Sequence, residues 1–236
     1  LLYFEVKKGG LAMIRNRLAA LMGERGLKVT RVAKETGISR NTITSIFQND
    51  SEMMRMDTIN TLCKYLGVTP CEFFEYEHFD IDFFVEVNHV FYSMKERERD
   101  YFSTEKYILI DDIEAEIIID IKNRLYTSSF ELSCSLVNKG VEFSSIEEIV
   151  FLMNISFDNE NEKNTFIELY DKINVSFHQE IFKNLKTTLE HEIKDFLVKK
   201  LSVDILFEDE QHKQRFEKGT RGNARIDIQS DVFKRF

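Results

Sequence analysis

Gly37 constrains this chain more than any other residue, because of what stands on either side of it. Residues 29–48, VTRVAKETGISRNTITSIFQ, read as two short helices joined by a tight turn. The turn needs a left-handed backbone, a conformation that costs glycine nothing. Before it, Thr30 lies near a helix N-terminus and Val32 and Ala33 face inward; after it, Ile38 plugs the space between the helices. Ser39 is a good N-cap, since its hydroxyl can accept from an otherwise unpaired amide. Over 39–48, Ile43, Ile46 and Phe47 form one inward stripe, which leaves Arg40, Asn41, Thr44 and Ser45 facing out.

The flanking segments supply further helices. Ile14, Leu18, Leu21 and Met22 recur at helical spacing, so the pattern predicts an amphipathic helix over 13–25, stopped by Gly26. A fourth helix is expected over 57–66, with Asp57 at its N-terminus and Ile59, Leu62, Cys63 and Leu66 inward. Thr69-Pro70 then opens a short fifth helix carrying Phe73 and Phe74, proline being favoured in a first helical turn.

This five-helix order over about 13–76 resembles the Cro and lambda-repressor type of helix-turn-helix regulators. The motifs that carry the resemblance are MIRNRL, LMGERGLKVTRVAKETGISRNTITSIF and INTLCKYLGVTPCEFFEY. The resemblance implies an all-α DNA-binding domain whose recognition helix enters the major groove. It makes Arg40, Asn41, Thr44 and Ser45 the base-reading positions. Arg can donate two parallel bonds to guanine O6 and N7, Asn can pair with adenine N6 and N7, and Thr44 can offer its hydroxyl or its methyl. Phosphate contacts are implied for Lys28, Thr30, Arg31, Ser39 and Thr42, with Arg15, Arg17 and Arg55 as further candidates; such contacts set register and affinity, not sequence.

A net charge of −9 looks wrong for a partner of DNA until it is divided along the chain. Residues 13–75 hold nine Lys and Arg against seven Asp and Glu, whereas 76–236 carry a net −12. Phosphate repels the acidic part, so only the first part offers a DNA face. Its basic excess is small, and useful affinity is expected from a homodimer on paired half-sites. The asymmetry points to two domains, 13–76 and 77–236, with separate tasks. Residues 1–12 read as a translated leader ahead of Met13, because Lys7-Lys8-Gly9-Gly10 can be encoded by a purine-rich ribosome-binding site; a disordered N-terminal arm is the other reading.

The second part reads as an α+β domain with an antiparallel sheet and a long helical segment. Alternation over 79–88, 113–121, 130–137 and 224–229 predicts strands, with a helix open for 113–121, where Ile113, Ile117 and Ile121 are also four apart. SSIEEIVFLM over 144–153 reads as a helix with a capping box from Ser144 to Glu147. An amphipathic stretch runs over 163–201, interrupted at Asn174–Ser176, and serves either a dimer or its own sheet. KERERD (95–100) and EDEQHK (208–213) read as solvated faces or loops.

Chemistry is sparse. No HExxH and no nucleophile elbow occurs, and the acids beside His191 and His212 do not amount to a ligand set. Neither a catalytic residue, a metal nor a cofactor is expected. Cys63, Cys71 and Cys134 have no framework spacing and read as reduced thiols. No apolar run reaches the ~18–20 residues that span a bilayer. The expectation is a cytoplasmic bacterial regulator, a repressor that binds operator DNA. A small molecule or a protein is the possible ligand of its C-terminal domain. Two rivals stand: an antitoxin or phage-type regulator whose acidic domain holds a partner, and a DNA-directed enzyme using carboxylates such as Asp111, Asp112 and Glu114.

Overall fold

The computed structural model describes residues 14–51, 53–100, 103–143, 146–205 and 210–233. One unit extends to His78 and the other begins at Phe79. Residues 1–13, including the expected start at Met13, lie outside the described residues.

The first unit runs β1 (Ile14–Asn16), α1 (Leu18–Glu24), α2 (Val29–Thr36), α3 (Arg40–Phe47), α4 (Met56–Leu66), α5 (Pro70–Phe73) and β2 (Phe74–Tyr76). Leu18, Leu21, Met22, Val32, Ile43, Ile46, Leu62, Cys63, Leu66 and Phe73 form its buried core. α1, α3 and α4 each contribute apolar residues three or four apart, the spacing that puts them on one face, while α2 adds Val32 and α5 adds Phe73. Thr69 and Glu72 close a reciprocal capping box at α5, which starts on Pro70.

Two expectations are corrected here. Ile14–Asn16 are not helical: they form an antiparallel ribbon with β2, Ile14 opposite Tyr76 and Asn16 opposite Phe74. Asn16 stops α1 from extending backward, because its Oδ1 accepts from the Leu18 amide at 3.0 Å and competes with the helical pattern. Phe47 does not join the inward stripe but is 36% exposed. It is the last residue of α3 and falls on the edge of the face that Ile43 and Ile46 bury.

The second unit is a sheet with helices over one crossover. Its strands are β3 (Asp80–Asp100), β4 (Ser103–Lys122), β5 (Thr127–Leu136), β6 (Val141–Phe143), β7 (Ile149–Ser156) and β8 (Ala224–Ser230); α6 (Glu160–Tyr170), α7 (Val175–Asp204) and α8 (Glu210–Asn223) lie between β7 and β8. The order across the sheet is β3-β4-β5-β7-β8, with β6 paired to β4. β3 to β7 pair antiparallel as expected, but β7 and β8 pair in parallel, so the sheet is mixed. A parallel pair needs a long crossover, and the three helices provide it.

Residues 113–121 are strand, not helix. β3 and β4 run well beyond the alternating segments because bulges shift the pattern. The register slips between Val87 and His89, and again between Phe91 and Tyr92, where Asp111 is the extra residue on β4. Ile110 and Ile113 both point inward across that bulge. Lys95–Asp100, expected as a solvated face or a loop, are the end of β3, and Lys95–Glu98 are exposed there, so the solvated face stands and the loop does not. The helix expected over 144–153 is replaced by β7. Ile149, Phe151, Met153 and Ile155 are buried with period two, and that alternation outweighs the capping signal, whose Ser144 lies outside the described residues.

α7 buries Phe177, Ile181, Leu185, Leu189, Ile193, Leu197 and Leu201, a stripe at four-residue spacing. These residues belong to the same core as the sheet, so the stripe is used within its own unit and is not a free dimer face. Asn174 sets the break before α7, its Oδ1 accepting from the Ser176 amide at 3.1 Å.

All three cysteines are free thiols, Cys63 and Cys134 buried and Cys71 exposed. Burial pushes the Cys134 thiol up to about 12 and raises that of Cys63. A soluble thiol reagent should label Cys71 in the folded chain at least about 100-fold faster than the other two, which react only through opening. Peptide mass spectrometry reads the order; labelling of Cys134 ahead of Cys71 contradicts this packing.

Candidate nucleic-acid interface

The turn between α2 and α3 sets the site. Gly37 has φ +72°, and its amide closes α2 onto the Ala33 carbonyl at 3.0 Å. Ser39 caps α3: its Oγ accepts from the Thr42 amide at 3.1 Å and meets Thr42 Oγ1 at 2.8 Å. Ile43 and Ile46 pin the helix to the core. What faces outward is therefore the first turn of α3.

Arg40 and Asn41 are exposed, and their side-chain polar atoms meet no partner among the described residues. That is the state required of groups that must bond base edges. Thr44 is half-buried, and its hydroxyl donates to the Arg40 carbonyl at 2.9 Å. It keeps an acceptor lone pair and a methyl for a base. Ser45 is half-buried as well and shares a hydrogen bond with Ser51 Oγ at 3.0 Å, which makes it the most engaged of the four. Gln48, exposed one turn beyond Thr44, shares this face. Its four-residue spacing from Arg40 and Thr44 is legible in the sequence, although it is absent from the expected set.

The expected phosphate contacts divide by charge environment. Lys28 and Thr30 stand exposed at the start of α2, and Lys28 has no acidic partner among the described residues. Arg31 is bound to Glu35 at 3.0 Å. The Tyr65 hydroxyl, donating at 2.5 Å, and then Arg31 hold the Glu35 carboxyl below the usual range. Arg55 leans on Asp57 at 3.6 Å, both highly exposed, a pair that solvent and salt weaken. Arg15 lies in β1 directly opposite Glu75.

Arg17 is the most engaged of this set. Its Nε lies 3.1 Å from Glu75 and its Nη2 3.8 Å from Glu24, while Nη1 donates to the Glu72 carbonyl at 3.3 Å. An arginine held by two carboxylates and a carbonyl fastens the start of α1 to β2. Nothing in the local sequence around Arg17 shows this, since Glu75 is brought beside it by folding.

The carboxylates considered for an enzyme, Asp111, Asp112 and Glu114, all lie on β4. Asp111 is the bulge residue, Asp112 is neutralised by the Lys139 ammonium, and Glu114 lies opposite Ser135. His191 Nδ1 lies 3.2 Å from Glu192, and Glu190 takes the Lys194 ammonium at 2.8 Å. Glu208 and Asp209 lie outside the described residues.

Residues 17–78 match the family model of the Cro/C1-type HTH DNA-binding domain. The match spans α1 to α5 and the ribbon strand β2, and this segment is a helix-turn-helix DNA-binding domain. No curated protein and no solved structure matches the chain.

Proposed function

We propose that this chain is a bacterial transcription regulator, acting in the cytoplasm as a homodimer that occupies operator DNA and blocks a promoter. The observation that carries the reading is the open first turn of α3. Arg40 and Asn41 stand exposed on a helix capped by Ser39 and pinned by Ile43 and Ile46. Both side chains are of the types that bond two atoms of one base. Lys28 and Thr30 flank that face at the start of α2, where a duplex backbone would run.

Repression then needs no chemistry: a protein seated on a promoter excludes the polymerase. The base-reading set is Arg40, Asn41, Thr44 and Ser45, with Gln48 as an addition. The phosphate set is Lys28, Thr30, Arg31, Ser39, Thr42 and Arg55, with Arg15 at its margin. The small cationic count supports two copies: Lys28 and Arg40 are the cations of this set with no acidic partner among the described residues. So few unneutralised cations release few counterions, and a second copy doubles the number. The acidic second unit is the seat of dimerisation or of a signal.

Selection from a randomised duplex pool tests the reading. The full chain should enrich one motif repeated as two half-sites. Affinity for the selected duplex should fall with log salt, and Lys28→Ala should reduce that slope by about one per chain while leaving base preference unchanged. Enrichment of no motif would sink the proposal.

A further inference from the structure

Asn16 is a buried polar residue, 8% exposed, and every polar atom of its side chain is used. Its Nδ2 donates to the Ile46 carbonyl at 2.7 Å and to Asn49 Oδ1 at 2.6 Å. Its backbone amide donates to the same Asn49 Oδ1 at 2.9 Å. Asn49 answers by donating Nδ2 to the Asn16 carbonyl at 3.2 Å. The two asparagines thus clasp each other, one on β1 and one just past the end of α3.

Asn49 is the one non-glycine residue with positive φ among the described residues, at +56°. Asparagine tolerates that conformation, and a left-handed residue is a common way to end a helix. Ile46 O is one of the last-turn carbonyls that a helix leaves without an internal partner; Asn16 satisfies it along with the Asn49 amide at 3.1 Å. Ser39 fixes the beginning of α3, and the asparagine pair fixes its end.

We infer that Asn16 and Asn49 are positioning residues that set the orientation of the recognition helix, and that selectivity for a base sequence depends on this clasp. The inference rests on the DNA-binding reading above. Asn16 is too buried to reach a base, so it acts through α3. A recognition contact holds only if its groups stay within about 0.5 Å and 10–20° of the productive geometry. A helix of eight residues, about 12 Å long, is held at its start by the Ser39 cap and on its inner face by Ile43 and Ile46. The clasp adds directional polar bonds at its far end, which apolar packing alone does not supply. It also ties the helix end to β1, and through β1 to β2, whose last residue Tyr76 lies just before the end of the unit.

The test uses the full chain and the duplex that wild type selects from a randomised pool, with a scrambled duplex of equal length. Asn49→Gly removes the clasping side chain and keeps the left-handed backbone. Asn49→Asp keeps the acceptor that serves both Asn16 donors. The readout is the ratio of affinities for selected over scrambled duplex, below the unfolding midpoint of each variant. A second readout is amide hydrogen exchange over Gln48–Asp50. Asn49→Gly should lower the ratio about tenfold, comparable to one lost base contact, leave scrambled-duplex affinity within twofold, and speed exchange at the helix end. Asn49→Asp should retain most of the ratio. Faster exchange with an unchanged ratio overturns the inference and leaves the DNA reading standing, as does an equal loss on both duplexes. A wild-type ratio near one overturns both.

Discussion

A chain carrying Arg40→Ala and Asn41→Ala together is expected to lose its preferred duplex by at least about 100-fold while still binding unrelated duplex. Each good bidentate pairing is worth roughly 1–3 kcal/mol of discrimination, so the two together account for about 2–6 kcal/mol. Both side chains are exposed and meet no partner among the described residues, so removing them takes nothing from the fold. Surface changes of that kind alter stability by about 0.5 kcal/mol or less. Affinity for scrambled duplex should drop only by what the single Arg40 charge contributes. Fluorescence anisotropy at one fixed salt concentration separates the two effects. A double variant that keeps full selectivity would remove Arg40 and Asn41 from the reading face and leave the role to Thr44, Ser45 and Gln48.

The second large effect lies in the other unit. Leu185 is fully buried midway along α7, in the core shared by that helix and the sheet. Truncation of such a leucine to alanine removes its transfer free energy and leaves a cavity, a cost of about 2.7–5 kcal/mol. Domain stability is about 5–15 kcal/mol, so Leu185→Ala should take a large share of it. Val203, on the same helix but 81% exposed, supplies the control: Val203→Ala should stay within about 0.5 kcal/mol of wild type. Urea unfolding followed by far-ultraviolet circular dichroism measures both. Equal midpoints for the two variants would mean that α7 does not pack as described.

What was legible in the sequence was what depends on neighbours. The pair of helices about Gly37, the cap at Ser39 and the outward set led by Arg40 and Asn41 follow from spacing within about twenty residues. So do α4, the proline start of α5 and the break at Asn174. The illegible features are those that folding brings together from afar. Ile14–Asn16 continue a helical pattern on paper, and only pairing with Phe74–Tyr76 makes them a strand. Arg17 looks like a free cation until Glu75 is laid beside it. Bulges at the β3–β4 ladder break the alternation that would otherwise have revealed both strands in full. Residues 149–155 fit either period, and burial on the sheet decides for two over three and a half. The clasp between Asn16 and Asn49 was invisible for the same reason, since two asparagines in polar surroundings carry no local signature.

The parallel pairing of β7 with β8 sets an order of events during synthesis. β3, β4 and β5 meet partners that emerge soon after them, and β7 can pair with β5 at once, but its other edge must wait until all three helices and then Ala224–Ser230 have left the ribosome. Pairings between distant parts of a chain form slowly and lie open to aggregation meanwhile. A chain halted before Ala224 would display β7, with Phe151, Met153 and Ile155, as an uncovered edge able to recruit strands from other molecules. The segment ending at His78 is complete long before, so a nascent polypeptide holds a finished helix-turn-helix domain while the rest of it is still a hazard.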